Sequence, residues 1–278
     1  MPKLETLVDD IYALFDPNKT HEPDEANLDK FATDLKELLR VRLRERQVNG
    51  GVLRFSSLGK QDRQLWYQHI GVQGEELTAQ TYLKFLYGDI VEQLVLFLAR
   101  EAGHTVTGEQ QEVEVDGIKG HIDAIIDDVL VDVKSASPFG YQKFVKSEVH
   151  VNDTFGYTQQ LAGYGQALNL PVAWVAFDKV AAHVCVTPLS QSIAKDYDVQ
   201  ERITHLKAVI KSEEPPPRCY EDEEDGKSGN RKLKTGCSYC AYKFECWPGL
   251  RAFAYSNGPR YLTKTVVVPN VPEITPKE

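Results

Sequence analysis

Cysteine is absent before residue 185, and no apolar run approaches the ~18 residues that a membrane-spanning helix needs. The opening Met-Pro-Lys-Leu-Glu lacks the basic-then-apolar pattern of a secretory leader. These absences predict a cytoplasmic protein without a membrane partner, whose thiols are not paired as disulfides. There is no Walker-type phosphate loop, so the chain carries no helicase motor of its own. An excess of positive charge is also missing: 32 Lys and Arg stand against 41 Asp and Glu, for a net charge of -9. That balance excludes a simple nucleic-acid coat protein, although local clusters can still supply a basic footprint.

The remaining composition is that of an ordinary globular protein. With 278 residues, 42% apolar and 26% charged, the chain can bury a full core. Basic residues cluster at Arg40, Arg42, Arg44 and Arg46, at Arg54, Lys60 and Arg63, and at Lys227, Arg231, Lys232 and Lys234. Each cluster reads equally as a solvated face or a phosphate-binding patch. Periodicity predicts amphipathic helices over 4–15 and 27–48, and a Gly50-Gly51 break after them. A turn at 55–59 leads into a helix near 60–70, and a long apolar helix over 77–102 stops at Gly103. Strands follow at 112–115 and through 120–134, then a helix over 153–168 with Asp153 as N-cap. Strands over 172–177 and 182–187 and a helix over 190–211 complete the pattern, which Pro215, Pro216 and Pro217 close. The residues from Val268 onward read as a loose terminus. The order predicts an α/β fold with a central mixed β-sheet flanked by helices, and no internal repeat is visible.

Gly120 to Lys134 carries the chemistry. It reads as two short strands meeting at an Asp-Asp turn, with Asp123 on the first and Asp132 and Lys134 on the second. Residues two apart on a strand share a face. Carboxylates and an ammonium among Ile, Val and Leu cost stability unless they pair or bind metal. Two carboxylates and a lysine in one place suit metal-assisted phosphodiester cleavage by Mg²⁺ or Mn²⁺. The long helix adds Asp89 and Glu92 on one face, with Glu92 in an apolar stretch that favours a metal partner. His121 shares the face of Asp123 and reads either as a metal or phosphate contact or as a histidine bonded within the sheet.

These residues resemble the PD-(D/E)XK nuclease superfamily: a helical Glu92, then Gly120-His121-Ile122-Asp123, then Asp132-Val133-Lys134. Gln160-Leu161-Ala162-Gly163-Tyr164 resembles the Gln-x-x-x-Tyr motif of its RecB-type branch. Arg54 to Gly59, with Arg63 to Tyr67, resembles that branch's Ser-rich entry segment. The resemblance covers roughly residues 50–250 and implies a restriction-endonuclease-like core. It implies metal ligation by Glu92, Asp123, Asp132 and the Val133 carbonyl, with Lys134 beside the attacking water. Gln160 and Tyr164 would position the phosphate or the lysine, and Ser135 would contact phosphate.

Cys237-x2-Cys240-x5-Cys246 has the spacing of a soft-metal site, and Cys219 makes a fourth thiol. Cys185 falls on a predicted core strand and reads as a small hydrophobe. In the branch resembled, and in the related CRISPR adaptation nucleases, three such cysteines join an N-terminal one around a [4Fe–4S] cluster. Here Gln61 stands near the place of that ligand, and Cys219 is the candidate replacement. A structural Zn²⁺ on the same four cysteines and free thiols are the alternatives. The aromatic residues Tyr239, Tyr242, Phe244 and Trp247 are expected to pack around this site rather than stack on bases.

The expected organisation is a helical cap over 1–49, a nuclease core over 50–211, a cysteine-rich metal segment over 212–260 and a tail over 261–278. The expected activity is exonucleolytic cleavage at DNA ends, single-stranded DNA included, in recombination, repair or phage DNA metabolism, where an oligomer or a recombination complex would be the partner. A non-catalytic DNA-end-binding module and a nuclease subunit of a larger complex are the alternatives.

Overall fold

The computed structural model describes residues 3–44 and 51–274. The expected end of the second helix over 45–48, Arg46 and Gly50 lie outside the described residues. The chain forms two compact units, one from the described residues of 1–48, 53–59 and 77–204, the other from those of 49–52, 60–76 and 205–278. Among the described residues no helix is long and apolar enough to cross a membrane.

In chain order the first helices are α1 (Leu7–Ala13), α2 (Glu25–Arg44), α3 (Asp62–His69) and α4 (Ala79–Glu101). Strands β1 (Val106–Thr107), β2 (Glu112–Val115), β3 (Ile118–His121), β4 (Ala124–Ile126) and β5 (Val129–Ala136) come next. Then follow α5 (Pro138–Val145), α6 (Tyr157–Leu168), β6 (Val172–Asp178), β7 (Val184–Pro188), α7 (Gln191–Ala194) and α8 (Val199–Ile210). The remaining elements are β8 (Glu223–Glu224), β9 (Arg231–Lys232), α9 (Thr235–Ser238), α10 (Lys243–Cys246), β10 (Arg251–Tyr255), β11 (Gly258–Lys264) and β12 (Glu273–Ile274).

The first unit is built on a five-stranded mixed sheet of order β1-β4-β5-β6-β7. Only β5 and β6 run parallel, joined through α5 and α6; the other pairs are antiparallel. Alternation along the strands separates two faces. Val131, Val133, Ala173 and Val175 join Leu7, Ile11, Val91, Val95 and Ala99 of α1 and α4 in the core. Asp132 lies opposite Trp174 on the other face, where Phe144 of α5 meets the Trp174 ring edge-on at 6.1 Å. The expected α/β fold with a central mixed sheet flanked by helices is therefore the observed one.

Local chemistry sets the β4–β5 hairpin. Asp127 and Asp128 adopt positive φ of 48° and 65°, the conformation of a two-residue turn between Ile126 and Val129. Asp127 also accepts hydrogen bonds from Thr105 N at 3.0 Å and shares one with His104 Nδ1 at 2.6 Å.

Three elements differ from the sequence patterning. The strand expected through 120–126 breaks at Ile122 and Asp123, because β3 pairs with β2 in a separate two-stranded sheet while β4 joins the main one. The helix expected over 190–211 is divided into α7 and α8. Gln166 of α6 holds the break, donating to Ala194 O and Tyr197 O and accepting from Val199 N. The helix α5 carries its own start signal, Ser137 before Pro138, with Ser137 Oγ accepting from Gly140 N at 3.2 Å.

The second unit has its own five-stranded antiparallel sheet, of order β12-β10-β11-β9-β8. No strands were expected here. The β10–β11 hairpin turns at Ser256-Asn257, with Gly258 at φ 119°. The expected loose terminus is held at Glu273–Ile274, which pairs with Phe253 and Ala252, and Arg251 grips the Glu273 carboxylate at 2.8 and 2.7 Å. Leu65, Leu206, Leu233, Phe253 and Leu262 are buried in this unit, and Trp66 donates to Ser212 O at 2.8 Å.

Candidate active site

Strand β5 outruns its neighbour. Strand β4 pairs with it only from Val129 to Val131, whereas β6 accompanies it to Ala136. Beyond Val131 the edge that β4 leaves has backbone groups in need of partners. Asp123, just before β4, supplies one: its Oδ2 accepts the Val133 N–H at 2.7 Å. That bond places the Asp123 carboxylate beside the segment bearing Asp132 and Lys134.

Asp132 is buried, at 6% exposure, and its two oxygens lie 2.8 and 2.6 Å from Lys134 Nζ. Only Oδ1 meets the ammonium with hydrogen-bond geometry, so Asp132 Oδ2 is a buried oxygen without a hydrogen-bond partner. From α4, Glu92 accepts from Gln110 Nε2 at 2.8 Å. Asp89, one turn earlier, is taken up by Arg42 of α2 through two bonds of 2.6 and 2.9 Å.

The electrostatics follow from three carboxylates around one lysine. Burial, then repulsion from Asp89 and Asp132, pushes the Glu92 carboxyl up to about 7. Burial and the neighbouring Glu92 and Asp132 push Asp123 well above the usual carboxylate range. Burial alone would lower Lys134, but Asp132 and Asp123 outweigh it and hold the ammonium protonated above its ordinary range. The site has more negative charge than Lys134 can neutralise.

Helix α6 supplies the wall. Tyr164 is 3% exposed, stacks on Phe55 at 4.7 Å and 8°, and shares a hydrogen bond with Gln160. Burial, then Asp132 and Asp123, raises its phenol. Gly120 makes room here, since a Cβ on it would run into Tyr164 Oη and Phe55 Cβ. Tyr157, which sequence reasoning passed over, lays its ring 4.8 Å from Lys134 Nζ. Its signal was its place three residues before Gln160, on the same helical face. Gln110, also passed over, had no local signal.

Two expected site residues stand elsewhere. His121 pairs across the β2–β3 hairpin with Glu112, 3.9 Å from its Oε2, and is 54% exposed. Ser135 lies on the α4 side of β5, where a Cβ on Gly88 would be 3.4 Å from its Oγ. Members of two basic clusters are paired with acids: Arg40 with Glu37, Arg42 with Asp89, Arg231 with Asp222 and Lys232 with Glu223.

In the second unit, Cys219, Cys237, Cys240 and Cys246 line one pocket, open to solvent, together with Gln61, Arg63 and Trp247. Burial, then the neighbouring Cys240, Cys219 and Cys246, pushes the Cys237 thiol up to about 11. Burial likewise raises Cys219 and Cys240. Arg218 lies 4.0 Å above the Trp247 ring and donates to Cys246 O at 3.1 Å. Cys185 stands apart on β7 of the first unit. Among the described residues, no three His, Cys, Asp or Glu side chains converge closely enough to hold a single ion as they stand.

No family model matches the chain, and no curated protein matches it. Among solved structures, the chain is similar to the protein SSO0001, at 16% identity and a TM-score of 0.41, over 76% of this chain and 93% of that one. It is similar also to a phage-related exonuclease from Haemophilus somnus 129PT, at 15% identity and a TM-score of 0.40, over 57% of this chain and 93% of that one.

Proposed function

We propose that this chain is a divalent-metal-dependent DNA nuclease of the PD-(D/E)XK type, acting on DNA ends. The observation that carries the reading is the gathering of Glu92, Asp123 and Asp132 around Lys134, with a buried Asp132 oxygen left without a hydrogen bond. Raised carboxyl pKa values without a cation are what a site built for one produces. Glu92, Asp123, Asp132 and the Val133 carbonyl would hold Mg²⁺ or Mn²⁺, which when bound polarises the phosphate and acidifies water. Lys134, kept protonated by Asp132, stabilises the charge that develops on phosphate as water attacks phosphorus and the bridging P–O bond breaks. Tyr157 confines the lysine, and Tyr164 with Gln160 closes the wall behind Asp132.

In this reading the cysteines would hold a [4Fe–4S] cluster, with Cys219 as the fourth ligand to Cys237, Cys240 and Cys246. Four thiols lining one pocket are the donor set of such a cluster and equally of a single zinc ion, so metal analysis decides between them. The cluster would staple the second unit and take no part in cleavage.

Labelled single- and double-stranded DNA, linear, end-blocked and circular, incubated with Mn²⁺ tests the activity. Degradation of free ends only is expected. Equal cutting by wild type and Lys134→Ala would remove the proposed site, and cutting of circles would remove the exonuclease reading. Absorbance near ~400 nm with iron analysis tests the cluster; a colourless protein with one zinc per chain would replace it.

A further inference from the structure

Helix α3 starts at the cysteine pocket. The first N–H groups of a helix have no partners within it, and those of Arg63 and Gln64 face the Cys219 sulfur. The Arg63 side chain lines the same pocket as Cys219, Cys237, Cys240 and Cys246. Its guanidinium is held in place: Nη1 donates to Pro216 O at 2.6 Å, Nη2 donates to Tyr67 Oη at 3.1 Å, and the group lies 5.4 Å from the centre of the Tyr67 ring. Its Nε is buried and has no hydrogen-bond partner. The acidic groups that face it are the Cys246 and Cys219 thiols and the Tyr67 phenol, with no carboxylate among them. Lys243, the other cation lining the pocket, is taken up by Glu75.

A partly buried guanidinium needs a negative partner, and neutral thiols are not one. Thiols become one when a metal centre takes them as thiolates, because four thiolates outweigh the charge of the centre they hold. The unpaired Nε–H adds a second requirement, an acceptor. An iron–sulfur cluster brings acceptor sulfides of its own, which a zinc ion does not.

We propose that Arg63 is the counter-charge of a [4Fe–4S] cluster on the four cysteines and raises its reduction potential. This rests on the cluster reading of the cysteines and is independent of the nuclease reading. Reduction adds an electron to a centre that is already negative, so a fixed cation beside it stabilises the reduced form more than the oxidised one. Net charge and hydrogen bonds to the sulfurs are among the features that set such potentials. Tyr67 is the positioning residue, since its hydroxyl holds Nη2 of the guanidinium.

The test is a redox titration of full-length protein, purified without oxygen, reduced stepwise with dithionite in the presence of mediator dyes and followed by absorbance near ~400 nm. Arg63→Gln should favour the oxidised form by about tenfold relative to wild type, a fall of 59 mV for one electron. Arg63→Lys, which keeps the charge, should recover most of that fall, and Tyr67→Phe should give a smaller fall of the same sign. Equal potentials in wild type, Arg63→Gln and Tyr67→Phe would overturn the role of Arg63 and leave the cluster in place. A fall that Arg63→Lys does not reverse would overturn the counter-charge. If Arg63→Gln fails to hold iron, Tyr67→Phe alone decides, and an unchanged potential there overturns the proposal. Wild-type protein with zinc or without metal would remove the cluster reading and this role with it.

Discussion

At Lys134 a single ammonium faces Asp132, Asp123 and Glu92, and its raised pKa makes it a permanent cation at neutral pH. In the proposed nuclease its part would be charge stabilisation rather than proton abstraction. Lys134→Ala is expected to lower kcat by ~10²–10³, the usual cost of removing one such group. The mirror effect lies at Glu92, whose carboxyl is raised from 4.5 to about 7 in the folded chain. The folded state then binds more protons than the unfolded state between those values, so stability falls as pH rises through that window. In EDTA the thermal midpoint should be higher near pH 4.5 than above pH 7 by this contribution. Glu92→Gln should flatten the fall while abolishing metal-dependent cleavage. A variant with the same pH slope as wild type would remove the raised carboxyl from the account.

At the scale of elements, α6 is held at its head by Asp153 and along its side by Phe55 and Gly120. Asp153→Ala leaves the Gly156 and Thr158 N–H groups without their acceptor and should cost about 0.5–2 kcal/mol, as cap losses do. Chemical denaturation measures it, and Asp153→Asn should recover most of the loss. Gly120→Ala adds a methyl where Tyr164 and Phe55 already fill the space. Overpacking of this kind costs about 1–3 kcal/mol. It should also weaken cleavage, because Tyr164 must move off the wall beside Asp132; full activity at lowered stability would show that the stack serves packing alone.

Over the whole molecule, the chain forms two units with separate cores, and each candidate metal centre lies within one of them. A bound metal stabilises the structure that holds it. Stripping the metal proposed for the cysteines should therefore raise hydrogen exchange in 60–76 and 205–264 and leave β5 and β6 protected. Mass spectrometry of the exchanged peptides reads this directly. Equal deprotection of both units would contradict it.

Much of this was legible along the chain. Asp132 and Lys134 share a face because strands repeat every two residues, and Gln160 and Tyr164 share one because they are a helical turn apart. The Asp127-Asp128 turn, the α4 helix and the mixed sheet are likewise products of local pattern. Some signals were present but unread, among them Ser137-Pro138 and the Asn257-Gly258 dipeptide at the Ser256-Asn257 turn between β10 and β11. What no local pattern encodes is the late start of β4, which turns Asp123 from a strand residue into the acceptor of the Val133 N–H. Equally unencoded are the diversion of His121 to a second sheet and the pairing of Arg42 with Asp89, 47 residues along the chain. Sequence by itself determined the residues that share a face and the chemistry they carry, because those depend on backbone geometry over a few residues. Tertiary structure alone decided which faces meet, placing Glu92 beside Asp123, Tyr157 over Lys134 and Cys219 on the cavity of Cys237, because such meetings depend on how distant segments pack.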